Sequence, residues 1–419
     1  MTIPAAPATA VVRTDPAAPT AAVIAPYDSG VPYPRAFARH GWRTVAVVPE
    51  HRLRPPAYRS SPVPVGYTGT VVHRGVRQTV KALRALGVSA VVAGSTGGIE
   101  LAERIAWQLG LPGADPACSP LRYDRGAQAA RLARVGIPAL RGIRTTSPAD
   151  AMAWARSRPG PGYLLAPAAT GTPVDPVECE DERQINTTWP AMRHAALQHS
   201  GSAHLVLSER PSRLRYTVNT ATRPDPDGRP EHVVTDLWAD VHTGDGRFDR
   251  TDLLPPGSPL AQTLALRTNR ALDALGVVCG PVTTRLAYGA DQELLVVSAL
   301  AAPVVTPADE ALRTATGRNR ATDALGAWIP PAAGAGFAPA PSGQHVVRVR
   351  LRPAAGIAPW LGAVLRSLPT VVAASEIRTP GAPVSAEAVL SSSEPRAIER
   401  DYRVIRALEH RGCRSPGRP

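Results

Sequence analysis

Gly94-Ser95-Thr96-Gly97-Gly98 closes an apolar run and opens a helical pattern at Ile99. Open α/β sheets bind ligands at such places, outside a strand end and at a helix N-terminus. No Gly-Lys-Ser/Thr follows, so this is not a Walker loop. Ala93 stands where a nucleophile elbow needs its first glycine. A tight structural turn is the competing reading. Glu178-Cys179-Glu180-Asp181-Glu182 gathers carboxylates that could hold a divalent cation. The same charges also suit a solvated helix start, where they meet the positive end of the dipole. His194 and His199 are five apart and fall on different faces of a helix, which is poor metal-ligand geometry. Asp245, Asp249 and Asp252 are expected in a loop, at a spacing that fits no calcium loop. Lys81 is the only lysine in the chain. A lysine is a compact point charge and an arginine a planar fork, so any mechanism with two lysines on a triphosphate is excluded.

The elements that must position these residues alternate. Apolar runs over residues 21–26, 41–48 and 89–93 read as strands. Between them, residues 34–40 and 75–86 read as helices, the second with Val76, Val80, Leu83 and Leu86 on one face. A helix over 99–109 ends at Gly110. Strands alternating with helices argue a parallel sheet. Further on, helices are expected up to Val135, from a Ser147 cap, and over 258–275, with strands over 162–167, 204–209, 213–222 and 231–242. Residues 282–288 and 293–298, joined through Gly289-Ala290-Asp291, make a hairpin candidate. A helix over 308–325, a Pro/Gly/Ala linker over 334–343, a half-exposed strand from His345, a helix over 361–368, short strands at 370–374 and 388–391 and a helix over 394–412 complete the chain.

The chain has 419 residues, enough for two or three domains. Hydrophobic residues make up 44% and aromatics 5%, so Ala, Val and Leu must fill the cores. The formal net charge is +13. Its arginines are scattered, apart from the tail 411–418, and read as a solvated surface, not one for nucleic acid. Cys118, Cys179, Cys279 and Cys413 show no CxxC and read as reduced thiols of a cytoplasmic protein. Residues 1–20 lack a basic start and an apolar core, so they are expected to be a disordered lead and not a signal peptide. No stretch reaches the roughly 18 apolar residues of a membrane span.

Several of these segments, in this order, resemble the ATP-grasp superfamily, specifically its carboxylate–amine ligases. Val-Ala-Gly-Ser-Thr-Gly-Gly-Ile-Glu-Leu-Ala from Val92 is similar to their N-terminal domain, which has a glutamate where Thr96 stands. Asp124-Arg125 matches an Arg-Arg-Asp-Lys whose lysine touches ATP phosphate. Ala166 falls on a second lysine, and Thr170-Gly171 on the Gly/Ser-rich loop that closes over the phosphates. Ser208-Glu209 falls on the hinge that holds adenine, and Arg215 on the ribose-binding glutamate. On the hairpin, two glutamates and a following asparagine or arginine are matched by Arg285, Val296 and Leu300. The C-terminal helix around residues 399–409 is also similar.

The resemblance implies an α/β and α+β fold: a Rossmann-like domain over 21–115, an ATP-grasp domain over 116–305, and a C-terminal α+β region with the basic tail over 306–419. It implies ATP as ligand, contacted by Arg125, Thr170, Gly171, Ser208, Glu209, Arg215 and Arg285. It implies a small-molecule carboxylate or amino acid as partner. The substituted positions point to a degenerate site, without catalytic residues or metal ligands, that acts by binding, with a partner ligase as one role. The alternatives are an active ligase in which Arg125, Arg215 and Arg285 hold an anion directly, and a nucleic-acid or anionic-ligand binder.

Overall fold

The computed structural model describes residues 18–27, 30–172, 174–225, 227–242, 248–302, 324–329, 343–351, 359–377 and 385–412. The first unit is a four-stranded parallel sheet, ordered β3-β2-β1-β4. Its strands are β1 (Thr20–Ile24), β2 (Arg43–Pro49), β3 (Gly69–His73) and β4 (Val88–Ala93). α1 (Tyr33–Ala38) covers one face, with Tyr33 and Phe37 buried; α2 (Val76–Ala85) and α3 (Ile99–Leu109) cover the other. β1 is buried throughout because it lies between β2 and β4 with helices above and below. α3 turns Ile99, Ala102, Ile105 and Ala106 inward, leaves Glu100 and Arg104 paired outside, and stops at Gly110, whose φ of 70° only glycine adopts without cost.

α4 (Arg125–Arg134) leads into a second, four-stranded sheet ordered β5-β8-β6-β7. It comprises β5 (Gly142–Thr145), β6 (Tyr163–Pro167), β7 (Val177–Cys179) and β8 (Leu205–Glu209), all antiparallel. α5 (Pro148–Ser157), capped by Ser147, and α6 (Glu182–Ser200), capped by Asp181, bury one face of it.

The third sheet has eight strands, ordered β13-β12-β9-β10-β11-β14-β16-β15. They are β9 (Arg215–Pro224), β10 (Pro230–His242), β11 (Phe248–Leu253), β12 (Gly280–Tyr288), β13 (Leu294–Leu300), β14 (His345–Leu351), β15 (Val371–Ile377) and β16 (Ser385–Ser392). α4 and α7 (Pro259–Ala274), the latter capped by Ser258, pack on Val218, Leu237, Val282, Leu286 and Val296. α8 (Pro359–Ser367) and α9 (Pro395–Gly412) pack on Val347, Val349 and Leu390. The C-terminal strands therefore extend the sheet that carries the hairpin.

Three local expectations change. Residues 248–253 form β11, not a loop. Their polar composition hides a strand whose charges are paired: Arg250 meets Asp252 at 3.0 Å and Glu399 at 2.8 Å, and Asp249 accepts from Arg406 at 2.9 Å. Gly69–His73 adds an edge strand that no sequence signal marked. Leu86 sits past the end of α2 and is exposed. Most of residues 1–20, 308–325 and 334–343, and the tail beyond 412, lie outside the described residues. Thr20, expected in the lead, already belongs to β1.

Candidate functional site

A cleft with about 810 Å³ of atom-free space, its open mouth included, lies between the second sheet and the third. Leu164, Ala166, Val206 and Ser208 line it from the second sheet; Arg215, Asp240, Arg285 and Ser298 line it from the third. Arg125 enters from the start of α4. Concave sites lined by apolar side chains with a few convergent polar groups are the usual small-molecule sites.

Register explains which side chains reach the cleft. Across the third sheet Ser298, Arg285, Thr217 and Trp238 are successive neighbours. Arg285 pairs with Ser298 but Leu286 pairs with Val296, so Val297 is the extra residue of a bulge. The bulge changes the expected match. Val296 turns into the core with Leu286 and Leu294, and Ser298 is the residue that faces the cleft opposite Arg285. The match by resemblance puts the second position at Val296, two residues before Ser298. Ser298 was missed because a bulge leaves no mark in the sequence here.

Arg125 begins α4 behind Asp124, whose carboxylate caps the helix by accepting from the Ala127 N–H at 3.0 Å and is paired with Arg144 at 2.8 Å. The Arg125 guanidinium donates to the carbonyls of Pro167 at 2.6 Å and Ala169 at 3.1 Å. Burial, then the positive charge of Arg285, push its pKa down to about 9, against the opposing pull of Asp124. It stays charged at neutral pH. Arg285 is exposed to the cleft and has no hydrogen bond or ion pair among the described residues. Two like charges therefore line the same cleft and repel each other.

Arg215 is different. It donates to Glu178 of β7, and Arg210 approaches the same carboxylate at 4.0 Å. This ion pair joins the second sheet to the third, and Pro176 and Pro211 line the same cleft. Asp240, the next strand's partner of Arg215, accepts from Thr251 at 3.2 Å and is the one carboxylate in the lining.

The remaining expected residues lie elsewhere. Thr170 is buried; its N–H donates to the Tyr123 carbonyl at 2.7 Å, and its own carbonyl accepts from Thr96 at 3.0 Å. Gly171 is wedged so closely that a Cβ would come within 2.5 Å of Leu300 and of Thr96. The loop after β6 is thus fixed to the first unit and to α4, with Asp124 and Ala169 bridged. Thr170 and Gly171 do not line the cleft. Nor does Glu209, whose carboxylate sits 3.4 Å from Arg141. Ser208 does line it and donates to the Leu164 carbonyl at 3.3 Å.

A magnesium ion needs several carboxylate or amide oxygens. Arg285 and Ser298 supply none, and no group of three His, Cys, Asp or Glu that could hold a metal occurs among the described residues. The acidic stretch 178–182 is dispersed instead: Glu178 onto Arg215, Asp181 onto the α6 N-terminus, Glu182 onto Arg156 at 2.6 Å. The residues present do not fit the metal.

No protein-family model matches the sequence, and no curated protein matches it. Solved structures do match. An L-amino acid ligase from Bacillus licheniformis superposes with a TM-score of 0.66 at 13% identity, over 93% of this chain and 97% of that one. N5-carboxyaminoimidazole synthase from Aspergillus clavatus, in complex with ADP and 5-aminoimidazole ribonucleotide, gives 0.65 at 14% identity, over 95% and 100%. The biotin carboxylase domain of the Hydrogenobacter thermophilus 2-oxoglutarate carboxylase, in complex with MgADP, ADP and bicarbonate, gives 0.59 at 13% identity, over 91% and 88%. No helix among the described residues is long and apolar enough to cross a membrane.

Proposed function

We propose that this chain, which has the ATP-grasp fold, keeps the inter-sheet cleft as a binding site for an anionic ligand and does not carry out magnesium-dependent phosphoryl transfer. The solved structures that share the fold are ligases and carboxylases, some with ADP and magnesium, and that likeness is the reason to test nucleotides first. The observation that carries the reading is Arg285. A guanidinium without a counter-charge faces Ser298 across the hairpin, where a metal-binding site would need oxygens. Ala166 lines the cleft without charge, and the lone lysine, Lys81, is exposed on α2. Phosphoryl transfer depends on cations and metal ions placed to neutralise the moving charge. Removing one such group costs a few kcal/mol, and several are absent here together.

Isothermal titration with ATP, in magnesium and again in EDTA, tests the proposal. Equal affinities, or no binding of ATP in either buffer, are the expected results. Micromolar binding that requires magnesium overturns it.

A second reading is an active ligase with an arginine-based site. The mutual repulsion of Arg125 and Arg285 favours it, since guanidinium forks hold phosphate oxygens directly. ADP release with a panel of amino acids separates the two: turnover above the protein-free blank supports the ligase.

A further inference from the structure

Resting on the cleft as a metal-free anion site, we propose that its ligand is a compact oxyanion, a phosphate or dicarboxylate without a nucleoside, held by Arg125 and Arg285.

The cations of the lining differ. The Arg125 guanidinium donates only to carbonyl oxygens among the described residues, and Arg285 meets no described partner. Burial, and after it repulsion from Arg285, makes Arg125 hold its proton less firmly than usual. An oxyanion with two or more acceptor oxygens relieves that repulsion and receives charge-assisted hydrogen bonds from both forks. The Ser298 hydroxyl lines the cleft across from Arg285.

Elsewhere in the lining the positive charge is already used. Arg215 and Arg210 converge on Glu178, which ties the second sheet to the third. A sugar diol would have to displace that pair to gain an acceptor. The one other carboxylate, Asp240, is engaged by Thr251. Arg125 and Arg285 therefore offer new interactions, and Arg215 offers only replacement of an existing one. Small, highly charged ligands gain most from such a site.

The test is titration of the full chain, in EDTA and low salt, with inorganic phosphate, malonate, ATP and adenosine. Phosphate or malonate is expected to bind at least as tightly as ATP, and adenosine not to compete. Arg285→Ala is expected to weaken phosphate roughly tenfold or more, with Arg285→Lys intermediate. Arg285 supports no other residue, so these variants should fold, and circular dichroism checks that they do. Arg125 is less suitable because it holds the loop carbonyls. Glu178→Ala frees Arg215 and is expected to raise ATP affinity relative to phosphate.

Metal-free ATP binding that is tighter than phosphate and displaced by adenosine overturns the compact-ligand proposal while leaving a metal-free cleft standing. No binding of phosphate or malonate, or binding unchanged in Arg285→Ala, overturns the assignment of this pair. Magnesium-dependent ADP formation would instead sink the reading on which the proposal rests.

Discussion

Arg285 and His232 show how single side chains report their surroundings. Arg285 is on the sheet face that looks into the cleft, exposed and without a hydrogen bond or ion pair among the described residues, and its proposed partner is a ligand. His232 is the reverse. Its ring lies between Thr222 at 2.8 Å and Asp273 at 3.2 Å, with its side chain 3% exposed. Burial lowers its pKa below the ordinary 6.5, and Asp273 only partly offsets this. The folded state therefore binds fewer protons than the unfolded one below pH 6.5. Its contribution is complete above that pH and is lost as the pH falls through the window beneath it. Urea midpoints at pH 7.5 and 5.5 should fall with acid, and His232→Gln should flatten the dependence. His73 and His242, lowered chiefly by burial, should leave a residual slope. An unchanged slope in the variant would show that His232 does not titrate on unfolding.

Among the elements, α4 and the loop after β6 depend on each other. Asp124 caps the helix, Arg125 reaches back to Pro167 and Ala169, and the Arg125 N–H donates to Ala168 at 2.9 Å. A loop that closes over phosphates needs free N–H groups and room to move. This one has its groups committed and Gly171 pressed against Leu300 and Thr96. Asp124→Ala should cost about 1–2 kcal/mol, mostly through the lost cap, since Arg144 is 38% exposed and its pairing is screened. Asp124→Asn, which can still cap, should cost less than half as much in the same denaturant titration. Gly171→Ala should cost about 1–3 kcal/mol by overpacking and by holding alanine at a φ of 70°. A neutral result would mean that the loop relaxes away from Leu300.

For the molecule as a whole, one buried pair joins the first unit to the rest, alongside the Thr96–Thr170 contact. Arg122, 2% exposed, donates to Glu103 of α3 at 2.8 Å, to the carbonyls of Cys118 and Asp115, and to that of Leu275 beyond α7 at 3.0 Å. Ser119 donates to the other Glu103 oxygen. Burial raises the Glu103 pKa in spite of Arg122. Removing one member of such a pair leaves an uncompensated buried charge, at about 3–5 kcal/mol. Arg122→Ala should therefore destabilise by that order. It should also split a single calorimetric transition into two, as the parallel sheet uncouples from the third. Glu103→Gln, which keeps a hydrogen-bond acceptor, should be milder. A variant that still melts in one transition would place the coupling elsewhere.

The sequence by itself determined the order of elements. β1, β2 and β4, α3 with its stop at Gly110, the Ser147 and Ser258 caps and the β12–β13 hairpin all follow from apolar periodicity and from glycine, proline and capping residues. These are local signals, set by neighbours a few residues away. The resemblance to ATP-grasp ligases, carried by short motifs in order, pointed to Arg125, Ser208, Arg215 and Arg285, which line one cleft. Tertiary structure decided the rest. A bulge at Val297 turned Ser298 into the cleft and Val296 into the core. Ion pairing to α9 let the polar segment Phe248–Leu253 become a central strand. Contacts from Tyr123, Thr96 and Leu300 drew Thr170 and Gly171 away from the cleft. Register, pairing and occlusion arise between residues distant in the chain, so no window of sequence contains them.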